Sequence, residues 1–369
     1  MNSNPASVDD RPAADTGPHP LARAALQTMG LPPPVARDAT LRAASADHIS
    51  NFNPHGGAHA RYPPAIPLDL QRLYAKVLRD EASVPLAEED LGHDHVMLTE
   101  GSVSALDLIM RAFAEPHQDS IVVTPPTFPF YAHAARANDV GIERVPLRGA
   151  DLDQLDVDAL VASAPKIIFL CRPNNPVGTA LDLDVIAGAA GALPGGLIVV
   201  DEAYIEFAGV GSCTPLLRDH ANLVITRTFS KAWGLAGARI GAAVGQPALL
   251  DTLRIIQLTY GVGSPAQALL GVALADAATL EANVAALVEQ REDLRNQIAA
   301  LPFVRRVYPS ETNFLLVEVE EHEHALTALG SAGITVADTS RDVPDTLRIS
   351  VGTSEANRQL VDALGRVHP

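Results

Sequence analysis

From about residue 96 onward, short apolar runs alternate with segments of helical periodicity. The apolar runs predict buried strands at residues 96–98, 120–123, 166–170, 196–200 and 222–225. The periodic segments between them predict helices at residues 103–113, 130–138 and 183–193. This rhythm is typical of an α/β protein in which a mostly parallel sheet carries helices on both faces.

The C-terminal part of the chain has a different pattern. A long amphipathic stretch from about residue 270 to 301 predicts one helix that leads out of a large domain. Beyond it, strand patterns at 303–308, 313–319, 334–336 and 346–351, followed by a helix, predict a smaller α+β domain. A chain of 369 residues exceeds what one core usually supports. We expect a disordered tail at 1–20, an N-terminal segment at 21–50 associated with the small domain, a large domain at 51–270 and a small domain at 271–369.

Charge and composition narrow the possible functions. The formal net charge of -17 disfavours nucleic acid as a partner, because phosphate backbones are bound through clustered Lys and Arg. Two cysteines provide no disulfide framework, which fits a reducing compartment. No apolar run is long and uncharged enough to span a bilayer, and the polar N-terminus lacks signal-peptide features. We therefore expect a cytoplasmic protein with no membrane partner.

The polar and glycine-rich segments fall where the predicted strands end. Ligands of parallel α/β sheets bind outside the carboxyl ends of the strands. The first strand runs into Gly101-Ser102-Val103, a turn whose free N–H groups suit a phosphate, although such turns also serve as plain helix caps. Three further strands run into residues 171–178, residues 201–204 and the segment that contains Lys231. Four such turns in one sheet indicate a single cleft.

Lys231 is one of only three lysines in a chain that otherwise uses arginine for positive charge. Arginine cannot form an imine with an aldehyde. A lysine whose charged form is disfavoured by burial or by nearby positive charge can do so near neutral pH. Lys231 is therefore a candidate Schiff-base lysine.

The residues around Lys231 suit pyridoxal 5'-phosphate, an aldehyde cofactor with a phosphate and a pyridine ring. A buried Asp201 keeps the pyridine nitrogen protonated. Asn175 and Tyr204 can hydrogen-bond the ring hydroxyl, and Phe128 can stack on the ring. The phosphate would be met by side chains and by a backbone turn, namely Thr228, Ser230, Arg239 and Gly101-Ser102-Val103.

Each of these residues also has a plainer explanation. Asp201 can be a helix cap, Asn175 a turn residue between prolines, and Phe128 a core residue. Arg239 can form a surface ion pair. The joint order along the chain, however, is much harder to explain by structure alone.

Two histidine-containing segments invite a metal interpretation. His93 and His95 lack a third ligand at the usual spacing, and residues 320–324 are more simply a solvated charge run. Residues 234–241 do not match the dinucleotide-binding fingerprint. We therefore expect neither a metal nor NAD.

Three segments resemble the signatures of class I/II aminotransferases of the aspartate aminotransferase fold, which is fold type I. They are Asn-Asn-Pro-Val-Gly at 174–178, Asp-Glu-Ala-Tyr-Ile-Glu-Phe at 201–207, and the run around Lys231 from 227 to 241. Residues 201–207, 310–314 and 347–353 are most similar to histidinol-phosphate aminotransferases, and the resemblance covers about residues 50–365. It implies a homodimer with active sites at the subunit interface. Tyr62 then reaches the phosphate of the neighbouring subunit's cofactor, and Arg348 holds the acidic group of the substrate.

Two departures from that family concern the substrate. Histidinol-phosphate enzymes usually carry a second arginine where this chain has Ala337, and Arg341 is a candidate replacement. The N-terminal segment also has no obvious counterpart to the tyrosine that helps to cover the substrate.

The expected function is transfer of an amino group from an anionic donor, first of all histidinol phosphate, to 2-oxoglutarate. Lys231, Asp201 and Tyr204 are the predicted catalytic residues, and Asn175 and Arg348 the predicted substrate contacts. One alternative is an aromatic amino acid aminotransferase, and a second is a pyridoxal-phosphate decarboxylase similar to the threonine-phosphate enzymes. A third is a non-catalytic sensing domain joined to a DNA-binding module, which the absence of a basic helix-turn-helix pattern in residues 1–50 disfavours.

Overall fold

The computed structural model of the chain describes residues 18–32, 50–57 and 59–367. Most of the tail expected at 1–20 lies outside these residues, and so does the part of the N-terminal segment from 33 to 49.

The large unit is built on a seven-stranded sheet with the order β1-β7-β6-β5-β4-β2-β3. Its strands are β1 Val96–Thr99, β2 Ser120–Val123, β3 Gly141–Arg144, β4 Ile167–Cys171, β5 Leu197–Asp201, β6 Leu223–Thr228 and β7 Gly241–Gly245. Strand β7 pairs antiparallel with both β1 and β6, while the pairs among β2 to β6 are parallel. The mostly parallel sheet and the five predicted strands are therefore confirmed.

Helices cover both faces of this sheet. They are α1 Leu68–Asp80, α2 Ser102–Phe113, α3 Phe130–Ala137, α4 Val157–Val161, α5 Leu183–Ala192, α6 Pro247–Ile256, α7 Ser264–Leu274 and α8 Ala277–Ala299. Alternate residues of one strand enter different cores: Ile168 of β4 packs in the core that contains α5, and Ile167 in the core that contains α2 and α3. Both faces of the strand are thus apolar, which is why it reads as a continuous hydrophobic run.

The stretch from 270 to 301 is two helices rather than the single helix that its pattern predicts. Helices α7 and α8 meet at a bend of 80°. The carboxylate of Asp276 accepts a hydrogen bond from the backbone N–H of Thr279 at 3.2 Å and so caps the start of α8. Among the described residues no single helix is long and apolar enough to cross a membrane, although α7 and α8 taken together as a bent pair meet the length and composition.

The small unit is a four-stranded antiparallel sheet with the order β10-β11-β9-β8. Its elements are β8 Val304–Val307, β9 Phe314–Val319, α9 His322–Ser331, β10 Ala337–Asp338, β11 Thr346–Ser350 and α10 Ser354–Leu364. The strand predicted at 334–336 is wrong, because the backbone N–H of Ile334 bonds to Leu329 and still closes the end of α9. Strand pairing starts only at Ala337.

The described N-terminal residues 18–32, which include the first part of the segment predicted at 21–50, pack on the large unit. Ala22 and Leu26 are buried in the core that contains α2 and α6. The N–H of Arg23 donates to the carbonyl of Ala112, and the N–H of His19 donates to Thr252 Oγ1 at 2.8 Å. The expected association with the small domain is therefore wrong for these residues. The domain boundary near 270 falls inside α7 and stays a prediction.

Candidate active site

A cleft of about 270 Å³ opens at the carboxyl ends of the central strands, and we call it the cofactor cleft. The residues that line it are Ser102, Val103, Phe128, Cys171, Asn175, Asp201, Ala203, Tyr204, Thr228, Ser230, Lys231, Arg239 and Arg348. All predicted site residues line it except Gly101 and Tyr62. The cofactor cleft thus brings together side chains that are far apart in the chain.

At one end of the cofactor cleft two glycines, Gly101 and Gly241, stand where a side chain would collide with its neighbours. Gly101 has a φ of 91°, and a Cβ there would lie 2.7 Å from Arg239 Nη2. A Cβ on Gly241, at the start of β7, would lie 2.3 Å from the backbone nitrogen of Ser102. Ser102 and Val103 begin α2, and the first N–H groups of a helix have no acceptor within the helix. This end therefore presents backbone donors and the positive end of a helix dipole, which suit a phosphate.

Hydroxyl groups and a guanidinium complete the same end. The N–H of Ser230 donates to Thr228 Oγ1 at 3.2 Å, and Arg239 donates to Ser230 Oγ at 3.3 Å. Arg239 itself has a φ of 54°, in the left-handed region, and also donates to the carbonyl of Ala236. The hydrogen bonds hold the arginine beside the glycine turn, where it supplies positive charge.

The middle of the cofactor cleft contains a buried carboxylate. Asp201 ends β5 and is 3% exposed. Tyr131 Oη donates to Asp201 Oδ2 at 2.9 Å, and Thr226 Oγ1 donates to Asp201 Oδ1 at 3.2 Å. Burial raises the pKa of Asp201 to about 6, while the two hydroxyl groups act in the opposite direction. A positively charged partner would stabilise this carboxylate, and a protonated pyridine nitrogen is such a partner.

The two residues whose hydroxyl groups donate to Asp201, Thr226 and Tyr131, are absent from the predicted site residues. Thr226 lies directly opposite Asp201 in the β5–β6 register, so parallel pairing was the signal for it. Tyr131 lies three residues after Phe128, at the start of α3, and its closeness to the end of β2 was the signal for it.

Phe128 and Cys171 form the apolar side of the cofactor cleft. Phe128 contacts Tyr131 edge to face, with ring centres 5.6 Å apart. Cys171 lies opposite Asp201 in the β4–β5 register, and its thiol is buried. Burial and the nearby Asp201 raise the pKa of Cys171 to about 12. The thiol is therefore neutral and packs as a small side chain, although it also lines the cleft.

Lys231 enters the cofactor cleft from the turn after β6. Its Nζ lies 5.5 Å from the centre of the Tyr204 ring. The surrounding protein removes water from the amine and so lowers the pKa of Lys231, Arg348 lowers it further, and Asp201 raises it. A lowered pKa leaves more of the amine neutral, which is the form that attacks an aldehyde.

Arg348 reaches the cofactor cleft from the small unit. It lies on β11, donates to Asn175 Oδ1, and places its Cζ 5.3 Å from the centre of the Phe314 ring. Ala337 on β10 lies directly opposite it in register. Arg341 is exposed on the turn between β10 and β11 and is not among the residues that line the cleft.

Tyr62 lies outside the cofactor cleft of its own chain. Tyr62 is 57% exposed, and its ring stacks on that of Tyr260 with ring centres 4.7 Å apart. It lines a second, open cavity together with residues 51–53, 59–61 and the start of α7.

No group of three or more His, Cys, Asp or Glu side chains that could hold a metal ion occurs in the described ranges 18–32, 50–57 and 59–367. His95 is buried, and its Nδ1 lies 3.0 Å from Asp94 Oδ1.

The cofactor cleft thus combines an anion site at a glycine turn, a buried carboxylate, an aromatic face and a lysine of lowered pKa. These features and the seven-stranded sheet define a pyridoxal-phosphate-dependent enzyme. Residues 25–364 match the family of class I and II aminotransferases, and the chain belongs to this family. The predicted cofactor, enzyme class and fold type are confirmed.

Two curated relatives are histidinol-phosphate aminotransferases. The protein of Xanthomonas axonopodis pv. citri is 42% identical over 285 residues, which cover 74% of this chain and 78% of the relative. The protein of Cytophaga hutchinsonii is 34% identical over 320 residues, which cover 85% of this chain and 89% of the relative.

Solved structures share the fold. Histidinol-phosphate aminotransferase of Sinorhizobium meliloti, in complex with pyridoxal-5'-phosphate, aligns with a TM-score of 0.73 and 24% identity, covering 92% of this chain and 88% of that one. L-threonine-O-3-phosphate decarboxylase of Porphyromonas gingivalis aligns with a TM-score of 0.69 and 21% identity, covering 83% of this chain and 93% of that one. At these identities the structural likeness concerns the fold alone.

Proposed function

We propose that this aminotransferase transfers the amino group of histidinol phosphate to 2-oxoglutarate, with Lys231 as the Schiff-base lysine. The observation that carries the proposal is Lys231 itself, an amine that lines the cofactor cleft and whose pKa is lowered by burial and by Arg348. The name shared by the curated relatives supports histidinol phosphate as the donor and a place in histidine biosynthesis.

Residues along the cofactor cleft would hold the phosphate and the ring of the cofactor. Ser102 and Val103 N–H groups, together with Arg239, would hold the cofactor's phosphate. Phe128 would cover the ring, and Asp201 would keep its nitrogen protonated. Bound pyridoxal phosphate supplies an aldehyde and an electron-accepting ring.

The proton-moving role falls to Lys231. Its neutral amine would take the proton from the substrate α-carbon and return it at cofactor C4'. Tyr204 and Asn175 would hydrogen-bond the ring hydroxyl. Burial raises the pKa of Tyr204, so its hydroxyl stays protonated and can donate. Arg348 would hold the phosphate or carboxylate of the substrate, and its own hydrogen bond keeps Asn175 in place.

A homodimer is part of the same proposal. Tyr62 is exposed and lies outside the cleft of its own chain, so it is free to serve a neighbouring one. Large apolar side chains are also exposed on α7 and near it, at Leu258, Leu269, Val272 and Leu73. An apolar face of this kind is typical of a subunit interface. A cytoplasmic location stays a prediction.

The test is a panel of amino donors assayed against 2-oxoglutarate, including histidinol phosphate and phenylalanine. We expect the wild type to show a visible absorption band that borohydride removes, and to prefer histidinol phosphate. A Lys231→Ala protein that still transferred amino groups would refute the role of Lys231. A preference for phenylalanine would refute the donor. Release of CO₂ together with the amine of the decarboxylated donor, without a keto product or glutamate, would favour the decarboxylase alternative.

A further inference from the structure

We infer that Tyr131 is a positioning residue that controls two cofactor contacts at once, the charge of Asp201 and the placement of Phe128. This inference rests on the proposed function, in which Asp201 meets the ring nitrogen and Phe128 covers the ring.

The side chain of Tyr131 is fixed on all sides. It is the second residue of α3 and is 1% exposed. Its ring stacks on Phe169 of β4, with ring centres 4.9 Å apart and planes within 10°. Its edge-to-face contact with Phe128 has an interplanar angle of 84°. A rotation of either Phe128 or Tyr131 would break this contact, so one ring determines where the other lies.

The hydroxyl of Tyr131 has a specific partner. A hydroxyl in an apolar core needs an acceptor, and here the acceptor is Asp201 Oδ2 at 2.9 Å. Burial and Asp201 both raise the pKa of Tyr131, so the hydroxyl remains protonated and donates. A donor to a carboxylate stabilises its charged form. The Tyr131 hydroxyl therefore counteracts the effect of burial, which favours the protonated, uncharged form of Asp201.

Among the donors that stabilise the charged form of Asp201, the Tyr131 hydroxyl acts most strongly, ahead of Thr226 Oγ1 and the backbone N–H of Ala203. Thr226 donates to the opposite oxygen. Cys171 and Tyr204 are neutral, because burial raises the pKa of each. The charge of Glu202, next in the chain, is matched by Arg172 at 3.7 Å and Arg227 at 3.2 Å. Lys231 faces Asp201 across the cleft and is the group that reacts with the cofactor.

The experiment compares the wild type with Tyr131→Phe, which keeps the ring and removes only the hydroxyl. Two properties of the holoenzyme are measured: the pH midpoint at which the visible band of the bound cofactor changes, and the dissociation constant of pyridoxal phosphate. Without the hydroxyl, Asp201 becomes more basic and draws the shared proton away from the ring nitrogen. A ring with less positive charge would repel a proton on the Lys231 nitrogen less strongly, so that nitrogen would keep its proton to a higher pH. We expect the midpoint to rise by about one pH unit and the cofactor to bind about tenfold more weakly.

Two further variants distinguish a positioning role of Tyr131 from a general loss of stability in the core. Tyr74→Phe removes the hydroxyl of another fully buried tyrosine, on α1, that does not line the cofactor cleft. It should leave both the midpoint and the affinity unchanged. In an Asp201→Asn background, Tyr131→Phe should weaken cofactor binding by less than it does alone, because its effect passes through the carboxylate.

The outcomes are distinguishable. A wild type without the visible band contradicts the proposed function. If the wild type shows the band, and Tyr131→Phe has the same pH midpoint and the same dissociation constant for pyridoxal phosphate as the wild type, the inference about Tyr131 is overturned. The inference is also overturned if Tyr131→Phe and Tyr74→Phe have equal effects. The same holds if the effects of Tyr131→Phe and Asp201→Asn on cofactor binding are fully additive.

Discussion

The guanidinium of Arg348, on β11 of the small sheet, donates a hydrogen bond to the side-chain oxygen of Asn175, in the turn after β4 of the large sheet. The contact joins a predicted substrate residue to a residue predicted to hold the cofactor's ring hydroxyl. Arg348 also lowers the pKa of Lys231. An anion bound by Arg348 would therefore affect both the ring contacts and the reactive amine.

Arg348→Gln should impair substrate binding far more than cofactor binding. Hydrogen bonds to charged groups contribute about 1.5–3 kcal/mol, so we expect KM for the anionic donor to rise roughly 10- to 100-fold. Loss of the positive charge should also raise the pKa of Lys231, and the alkaline shift appears in the pH profile of kcat/KM. Arg341→Gln, which changes an exposed arginine outside the cofactor cleft, is the matched control. Unchanged KM in Arg348→Gln would contradict the assignment.

Ala337→Arg should favour phosphate-bearing donors over phenylalanine. Ala337 lies opposite Arg348 in an antiparallel pair, so both side chains leave the same face of the sheet. Two arginines can hold a phosphate dianion from two sides, whereas a carboxylate is already satisfied by one. We expect the ratio of kcat/KM values to shift about tenfold toward histidinol phosphate. Ala337→Gln adds length without charge, and an equal shift in that variant would argue against an electrostatic cause.

The strand ends could be predicted from sequence because parallel strands bring their carboxyl ends to one edge. Asp201 and Lys231 are separated in the chain, yet each follows a recognisable apolar run. The glycine turn before α2 was predictable for the same reason, because Gly101 stands between a recognisable strand and a recognisable helix. The local sequence pattern was sufficient to predict a residue's place wherever that place depends only on the strand or helix next to it.

Contacts between elements were less predictable. The bond from Tyr131 to Asp201 joins α3 to β5 and depends on which helix covers which strand. The bend between α7 and α8 was missed because the residues on both sides of it favour a helix. The capping residue Asp276 was the available signal. The N-terminal residues Ala22 and Leu26 are too few to indicate which core they join.

Asp201 should make the stability of the cofactor-free protein depend on pH. Its pKa in the fold is about 6, above the ordinary value of 3.8, so the folded protein binds this proton more tightly than the unfolded chain does. The group therefore stabilises the fold below pH 4, and this contribution, about 3 kcal/mol, is lost as the pH rises through 6. Asn at this position cannot ionise. Urea unfolding should show Asp201→Asn gaining stability relative to the wild type between pH 4 and pH 7.

A constant difference between the two proteins over that range would mean that the carboxylate is already ionised at pH 4. Saturation with pyridoxal phosphate should reduce the effect, because a protonated ring nitrogen stabilises the charged carboxylate.

Mixing two impaired variants should restore activity if Tyr62 serves the neighbouring subunit. Tyr62→Ala keeps Lys231, and Lys231→Ala keeps Tyr62, so one site of each mixed dimer contains both residues. Random exchange makes about half of the dimers mixed, and one of the two sites in each mixed dimer is intact. We therefore expect about a quarter of the wild-type activity to be recovered. The measurement is the transaminase rate after co-refolding or co-expression, compared with each variant alone. Val272→Asp, which places a charge on the exposed apolar face of α7, should abolish the recovery by weakening the dimer. If mixing restores nothing while the wild type sediments as a dimer, Tyr62 acts within its own chain, and the exposed stack on Tyr260 must open to bring it to the cleft.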